Sequence, residues 1–309
     1  MKLYIKTPFV EKNKFIPHFL EHCVLAQAHP SAFLKYQKET SAWTSTGYTG
    51  FERDDIAIED FFHLLQKPVT EEAFARELQV ITEELHAPSF GQRVYEKVLC
   101  RVSGSKIVTN KVKKISLESL QAYQSEWYQP KHTILLDHEG NILPRGKAKE
   151  LVPVSLSSLE VPELYSDHFS YRKELQNFLW ITYQGPEEIF FLDYVGGAIE
   201  AYLYYQTNKE GKYFYSTFDR SLTDRYLILM LSETLPKIKK SDFFAFLTYF
   251  RKDYLEKINQ GRYRSWDGLI ALFMGKSCSK EEHWRFVEKI QDTQVESVVQ
   301  KFFGSQRER

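Results

Sequence analysis

The sequence has no net charge, few cysteines and no long apolar segment. Its 41 lysines and arginines balance 41 aspartates and glutamates, so no overall field attracts nucleic acid or an anionic membrane. Three widely spaced cysteines, Cys23, Cys100 and Cys278, fit reduced thiols better than a disulfide framework and so indicate the cytoplasm. The apolar runs are far shorter than a bilayer span, and the opening MKLYIKTPF lacks an extended hydrophobic core. We therefore expect a cytoplasmic protein without nucleic-acid or membrane partners.

The length of 309 residues is sufficient for two compact domains. The segment from Ile142 to Leu164 contains three prolines and a run of serines, which predicts a connection near residue 150. The ends of the two halves resemble each other, SLESLQAYQSEWY from Ser116 and TQVESVVQKFF from Thr293. We expect an α+β fold with two related domains, 1–150 and 151–309, each a mixed or antiparallel β-sheet covered by helices.

Hydrophobic periodicity places the main elements. In the first half it predicts a strand over Lys2–Phe9, a helix over Pro17–Leu25, a hairpin around TSAWTSTGYTGFER and a helix from Thr70 to about Leu85. In the second half it predicts strands over Phe178–Tyr183 and Tyr213–Phe218, and helices over Glu188–Tyr205, Tyr226–Leu235 and Ser241–Asn259.

The pentapeptide His18-Phe19-Leu20-Glu21-His22 carries the strongest chemical signal. Residues four apart on a helix differ by about 40° around its axis, so His18 and His22 share one face and can bind one ion. Glu21 lies about 60° from that face, where it can take a proton from a metal-bound water without being a ligand. The alternative is an amphipathic helix with two partly buried, hydrogen-bonded histidines.

The segment FIPHFLEHCVL resembles the start of the zinc site in peptidase family M16, the insulinase and mitochondrial processing peptidase family. The resemblance implies a third zinc ligand, a glutamate in a downstream helix. The segment KPVTEEAFARELQVITEEL has Glu77 and Glu84 at the family's seven-residue spacing. Glu84 would then be the third Zn²⁺ ligand, with Glu83 as its nearest rival. Seven residues is about two helical turns, so Glu77 would lie on the same face and support the ligands by hydrogen bonding.

Further segments extend the resemblance over most of the chain. SAWTSTGYT resembles the family's edge strand, against which the substrate is laid as an added strand. This implies substrate contacts by Ser41, Ala42, Trp43 and Thr44, with Ser41 in place of the usual asparagine. ISLESLQAYQSEWYQPKHTILL resembles the close of the family's first domain, and YVGGAIEAYLYY a helix of its second.

The family's substrate clamp, an arginine followed by a tyrosine, is incomplete in this sequence. The matching segment YYQTNKEGKYFYS keeps Tyr215 but has no arginine between Gln206 and Gly211. Full members contain two halves or pair two chains, and this chain corresponds to one half-clamshell. The resemblance therefore implies a heterodimer in which a second M16-like chain supplies the arginine and tyrosine. A homodimer is the alternative.

The resemblance implies a zinc-dependent endopeptidase with Glu21 as general base. It also implies a non-catalytic second domain that faces substrate or partner, and leader or bacteriocin-like peptides as substrates. One alternative is a non-catalytic M16-like scaffold or peptide-binding subunit. A purely structural zinc is a weaker alternative, because such sites usually fill the fourth position with protein and no suitable cysteine accompanies the motif.

Overall fold

The computed structural model describes residues 1–8, 14–27, 40–53, 58–85, 90–104, 112–143, 146–156, 161, 163–171, 174–209, 219–222, 226–232, 240–261 and 264–304. They form two compact units. The first consists of Met1–Val152 and Gly268–Lys276, and the second of Pro153–Asp267 and Ser277–Arg309. The chain therefore passes into the second unit after Val152 and returns once to the first, which the sequence pattern does not indicate.

The first unit is built on one antiparallel sheet with strand order β2-β3-β1-β4. Its strands are β1 (Lys2–Thr7), β2 (Thr40–Thr44), β3 (Gly47–Arg53) and β4 (Thr133–Leu136). Its helices are α1 (Ile16–Ala26), α2 (Ile58–Gln66), α3 (Glu71–Glu84), α4 (Phe90–Ser103) and α5 (Leu117–Trp127), with 3₁₀ turns at Val112–Lys114, Pro130–His132 and Gly146–Glu150. The predicted hairpin is confirmed by the pairing of β2 with β3.

Local sequence signals set the ends of the site-bearing helices. Pro17 lies in the first turn of α1, where its missing amide hydrogen is not needed for the helix. Thr70 caps α3, because its side chain accepts a hydrogen bond from the backbone N–H of Ala73. Ser116 caps α5 in the same way through Ser119. The helices predicted at Pro17–Leu25 and from Thr70 are confirmed.

The two faces of the first sheet make different contacts. Side chains alternate along each strand, so Leu3, Ile5 and Phe51 share the face that packs in one buried cluster with α1. On the opposite face, Tyr4 meets the rings of Trp43 and Tyr48 edge to face, at centroid distances of 6.0 and 5.9 Å. The sheet thus separates a face directed at α1 from an aromatic face.

The second unit contains a second antiparallel sheet, with order β6-β7-β9-β8. Its strands are β6 (Tyr165–Tyr171), β7 (Glu174–Thr182), β8 (Asp219–Leu222) and β9 (Tyr226–Ser232), and the short strands β5 (Val152–Pro153) and β10 (Lys276–Ser277) pair separately. The remaining helices are α6 (Pro186–Lys209), α7 (Lys240–Asn259), α8 (Arg264–Met274), α9 (Lys280–Lys289) and α10 (Asp292–Gly304). The predicted α+β class with two helix-covered sheets is confirmed.

One predicted helix is wrong. Within the segment predicted as a helix over Tyr226–Leu235, the described residues Tyr226–Ser232 form strand β9, which pairs antiparallel with β7 on one side and β8 on the other. An inner strand can be a continuous apolar run, and periodicity cannot distinguish such a run from a short buried helix. The strand predicted at Tyr213–Phe218 lies entirely outside the described residues, which resume at Asp219.

Helix α6 forms the centre of the second unit's core. It buries Phe190, Tyr194 and Ile199 completely. The hydroxyl of Tyr254 on α7 donates a 2.6 Å hydrogen bond to buried Asp193 of α6. Among the helices that the structure describes in either unit, none has the length and hydropathy needed to cross a bilayer.

Candidate active site

Helix α1 presents its two histidines because its opposite face anchors it in the core. Phe19, Leu20 and Cys23 are fully buried in the first unit's hydrophobic cluster. The side chains of His18 and His22 remain 25% and 21% exposed. Their rings lie 5.0 Å apart, as expected for side chains one helical turn apart, and their planes make an angle of 72°.

Helix α3 brings its carboxylates to these histidines by packing against α1. Ala73 and Ile81 are buried, and the ring of Phe74 lies 5.1 Å from that of Phe19. The seven-residue interval then places Glu77 and Glu84 on the side that faces α1.

Three donor groups converge at the open end of this helix pair. His18 Nε2 lies 3.5 Å from Glu84 Oε1, and His22 Nε2 lies 3.2 Å from Glu84 Oε2. One ligand atom from each residue falls within 4.8 Å of the other two. Two ligands about 2.1 Å from one tetrahedral zinc ion are separated by about 3.4 Å, so these groups fit that ion. A His-His-Glu set is also a known catalytic zinc set that leaves one position open.

The rival ligand Glu83 has different surroundings. Its carboxylate accepts a 3.3 Å hydrogen bond from Gln79, one turn earlier on the exposed side of α3. Neighbouring residues on a helix point about 100° apart, so only one of Glu83 and Glu84 can face α1. The geometry therefore favours Glu84.

Glu77 lies behind the donor set and contacts His22. Its Oε2 is 3.4 Å from His22 Nδ1, and its Oε1 accepts a 3.1 Å hydrogen bond from Arg76 Nε. Burial opposes ionisation of Glu77, but hydrogen bonds from His22 and Arg76 outweigh it and lower the pKa of this carboxyl. An ionised Glu77 favours the tautomer with the proton on Nδ1, which leaves Nε2 free to bind a metal.

Glu21 is held apart from the donor set. It is only 6% exposed, and its Oε2 accepts a 2.5 Å hydrogen bond from the hydroxyl of Thr44 on β2. Burial raises the pKa of Glu21, although the Thr44 hydrogen bond and the nearby His22 act in the opposite direction. A carboxylate with a raised pKa is a better proton acceptor near neutral pH.

The two histidines differ in their electrostatic setting. Burial and the neighbouring His22 lower the pKa of His18, against the attraction of Glu84. Burial opposes protonation of His22 as well, but its hydrogen bond to Glu77 and the charges of Glu21 and Glu84 raise its pKa overall. A proton on His22 would therefore compete with any metal ion bound there.

The predicted substrate strand β2 lies at the edge of its sheet, with β3 as its partner. Ser41 is exposed, whereas Ala42 is half-buried against the cluster around α1. Trp43 lies on the opposite face, where its ring covers Gly50. The side chain of Thr44 points toward Glu21. Tyr215 lies outside the described residues.

Cys23, next to His22 in the chain, is fully buried. Burial, followed by the nearby charge of Glu77, strongly raises the pKa of its thiol. Cys23 is therefore a thiol packed in the core, where it is not suited to act as a nucleophile or a ligand.

Several side chains at the site are not apparent from the motifs. Arg76 also donates to the backbone carbonyl of Ala26 at the end of α1, so it links both helices to Glu77. Thr49 lies directly opposite Thr44 in the hairpin. Its position in SAWTSTGYT, five residues after Thr44, is the one signal that could have indicated it.

Comparison with known proteins identifies this fold. No model of a known protein family matches the sequence, and no curated protein matches it. The structure is similar to the first half of the periplasmic protease PqqL from Escherichia coli (TM-score 0.53, 11% identity, 99% of this chain and 85% of that chain). It is also similar to a protease from Helicobacter pylori (0.51, 12%, 98% and 90%). A third neighbour is a peptidase M16 inactive domain from Pseudomonas fluorescens (0.52, 9%, 97% and 89%).

These likenesses extend over nearly the whole chain, so both units take part in the shared fold. The chain therefore has the fold of these proteases, one of which bears the M16 name. At identities of 9% to 12% the likeness is one of fold alone. Since one neighbour is described as inactive, the fold does not distinguish an enzyme from a non-catalytic relative.

Proposed function

We propose that the protein is a zinc-dependent endopeptidase of the M16 type. The observation that supports this most strongly is the convergence of His18, His22 and Glu84 within 4.8 Å, beside a buried carboxylate that is not a ligand. The donors come from two helices whose spacing and packing bring them together. If the two histidines were only buried, hydrogen-bonded residues of an amphipathic helix, they would not need a half-exposed glutamate from a second helix beside them.

Each residue of the site has a separate role in the proposed hydrolysis. His18, His22 and Glu84 would hold Zn²⁺, which polarises the scissile carbonyl and lowers the pKa of water. Glu77 keeps the proton of His22 on Nδ1, so that Nε2 faces the donor set. Glu21 accepts a proton at its carboxylate as the attacking water loses it, and returns a proton to the leaving amine. One carboxylate thereby covers both proton transfers.

The edge strand β2 is the proposed site for the peptide. In the described part of the sheet its other edge is unpaired, so its backbone groups are available for an added strand. Of the predicted contact residues, exposed Ser41 fits this role, whereas the side chains of Ala42 and Trp43 pack on the two faces of the sheet. Backbone recognition would tolerate many side chains, which suits the processing of peptides of varied sequence.

The chain is proposed to work as one half of a two-chain peptidase. The missing clamp arginine and the likeness to the first half of a periplasmic protease both support a heterodimer with a second M16-like chain. In this proposal residues 151–309 form a non-catalytic domain directed at substrate or partner, with Tyr215 as its remaining clamp residue. Leader or bacteriocin-like peptides as substrates follow from the sequence resemblance alone.

The second candidate function is a non-catalytic subunit that binds peptides or presents a partner. This candidate is supported by the inactive M16 domain among the structural neighbours, because that domain has the same fold and is described as inactive. It predicts that zinc binding, if any, has no catalytic consequence.

Metal analysis and peptide hydrolysis distinguish the two functions. The full chain, loaded with zinc, would be assayed on a peptide library alone and with candidate M16-like partner chains. Glu21→Gln should keep stoichiometric zinc but lose hydrolysis by roughly 100-fold or more, because it removes the general base. Zinc-loaded protein that cleaves no peptide with any partner would favour the scaffold.

A further inference from the structure

A row of threonine hydroxyls crosses the first sheet and ends at Glu21. Thr44 on β2 lies 3.3 Å from Thr49 on β3, and Thr49 lies 3.0 Å from Thr7 on β1, measured between hydroxyl oxygens. Thr7 and Thr49 are fully buried. All three side chains lie on the face directed at α1, where their neighbours Ile5 and Phe51 belong to the hydrophobic cluster. Burying hydroxyl groups on an apolar face is unfavourable unless each forms hydrogen bonds, so the row is expected to have a structural or functional role.

The direction of the hydrogen bonds in this row is fixed by its end. A hydroxyl has one hydrogen to donate, and that of Thr44 goes to Oε2 of Glu21. In the arrangement that satisfies every contact of the row, the Thr44 oxygen accepts from Thr49 and the Thr49 oxygen accepts from Thr7. Each donation polarises the next hydroxyl, so the row presents a strengthened donor to the carboxylate.

We infer that Thr44 is a positioning residue for Glu21, and that Thr49 and Thr7 fix its hydroxyl. This rests on the proposed function, in which Glu21 is the general base, and it replaces substrate contact as the role of the Thr44 side chain. The hydrogen bond holds one carboxylate oxygen, Oε2, and leaves Oε1 for the proton transfers of the proposed mechanism. Because Thr44 belongs to β2, the strand proposed to receive the peptide also holds the base.

The test compares Thr44→Val, which replaces the hydroxyl by a methyl group, with Thr44→Ser, which keeps a hydroxyl. The matched control is Thr133→Val. Thr133 is a buried threonine of β4 whose hydroxyl donates a 2.7 Å hydrogen bond to the backbone carbonyl of Gln129. Kinetics would use the zinc-loaded full chain with whatever partner chain the wild type requires. Crystal structures of the same variants would give the conformation of Glu21 without relying on activity.

We expect Thr44→Val to lower kcat by roughly 10- to 100-fold, as is typical for residues that orient active-site groups, with KM and zinc affinity nearly unchanged. Thr44→Ser should recover most of kcat, Thr49→Val should have an intermediate effect, and Thr133→Val should match the wild type. In the crystal, Glu21 should leave its wild-type rotamer in Thr44→Val. If that variant does not fold, Thr44→Ala removes the same hydroxyl without adding a methyl.

Several results would overturn the inference: an unchanged Glu21 rotamer in Thr44→Val, equal losses in the valine and serine variants, or a raised KM with unchanged kcat. The last would return the Thr44 hydroxyl to substrate binding. If the wild type hydrolyses nothing with any partner, the proposed function fails. The Glu21 rotamer then still decides whether Thr44 positions that carboxylate.

Discussion

Replacing Glu84 by glutamine tests the proposed metal site most directly, because the neighbouring Glu83 provides a matched control. Both glutamates are exposed at the end of α3, and Glu84 is 49% exposed. Neither substitution should change the stability of the metal-free protein by more than about 0.5 kcal/mol. Glu84 lies within 3.5 Å of both His18 and His22, whereas Glu83 accepts a hydrogen bond from Gln79. Only Glu84→Gln should therefore weaken zinc binding.

The size of the effect follows from the role of the residue. Loss of a group that only supports a ligand costs about 10- to 100-fold in metal affinity, and loss of a ligand should exceed the upper value. A 100-fold loss corresponds to about 2.8 kcal/mol. With free zinc at 1,000 times the wild-type Kd, bound zinc stabilises the wild type by about 4.1 kcal/mol and the variant by about 1.4 kcal/mol. For a unit of this size the difference lowers the zinc-induced rise in Tm by about 5 to 11 °C.

The assay is thermal unfolding with and without zinc, accompanied by competition titration against a chelating dye. Glu83→Gln should keep the wild-type shift in Tm. Equal behaviour of the two variants, or a full zinc-induced shift in Glu84→Gln, would refute the ligand assignment and the two-helix geometry from which it comes.

Three further substitutions test other contacts. Glu77→Gln should weaken zinc binding by about 10- to 100-fold in the same dye titration, since it removes the charge that holds His22, and a wild-type Kd would contradict this. Phe19→Ala should lower the free energy of unfolding by about 3–5 kcal/mol in denaturant titration, because the ring is fully buried against Phe74. A loss below about 1 kcal/mol would show that α1 is not anchored there. Gly50→Ala would place a methyl carbon 2.4 Å from the ring of Trp43, so it should lower the free energy of unfolding by about 1–3 kcal/mol in the same titration. An unchanged free energy of unfolding would mean that the Trp43 ring can move away.

The sequence predicts the site well where its signals are local. Four-residue and seven-residue spacings on a helix determine which side chains share a face, so the sequence alone groups His18 with His22 and Glu77 with Glu84. The choice between Glu83 and Glu84 requires more, because it depends on how α3 is rotated against α1. That rotation is set by packing such as Phe19 on Phe74.

Other features cannot be predicted from the sequence because they depend on partners distant in the chain. The apolar run of β9 predicts a helix, and its strand state comes from pairing with β7, about fifty residues earlier. The contact of Thr44 with Glu21 requires the register of β2 on β3 and the placement of α1 over the sheet. No pattern in a single segment encodes either.

The return of residues 268–276 to the first unit has a consequence for how the protein is made. Gly268 lies against Tyr4, where an added methyl carbon would be 3.1 Å from its ring, and Phe273 lies against Tyr48. Gly275 accepts a hydrogen bond from the backbone N–H of Val152. A ribosome that has just completed Val152 has therefore made both helices of the candidate site but not residues 268–276, which pack on the aromatic face. The first unit can therefore complete its aromatic face only after more than a hundred further residues have been made.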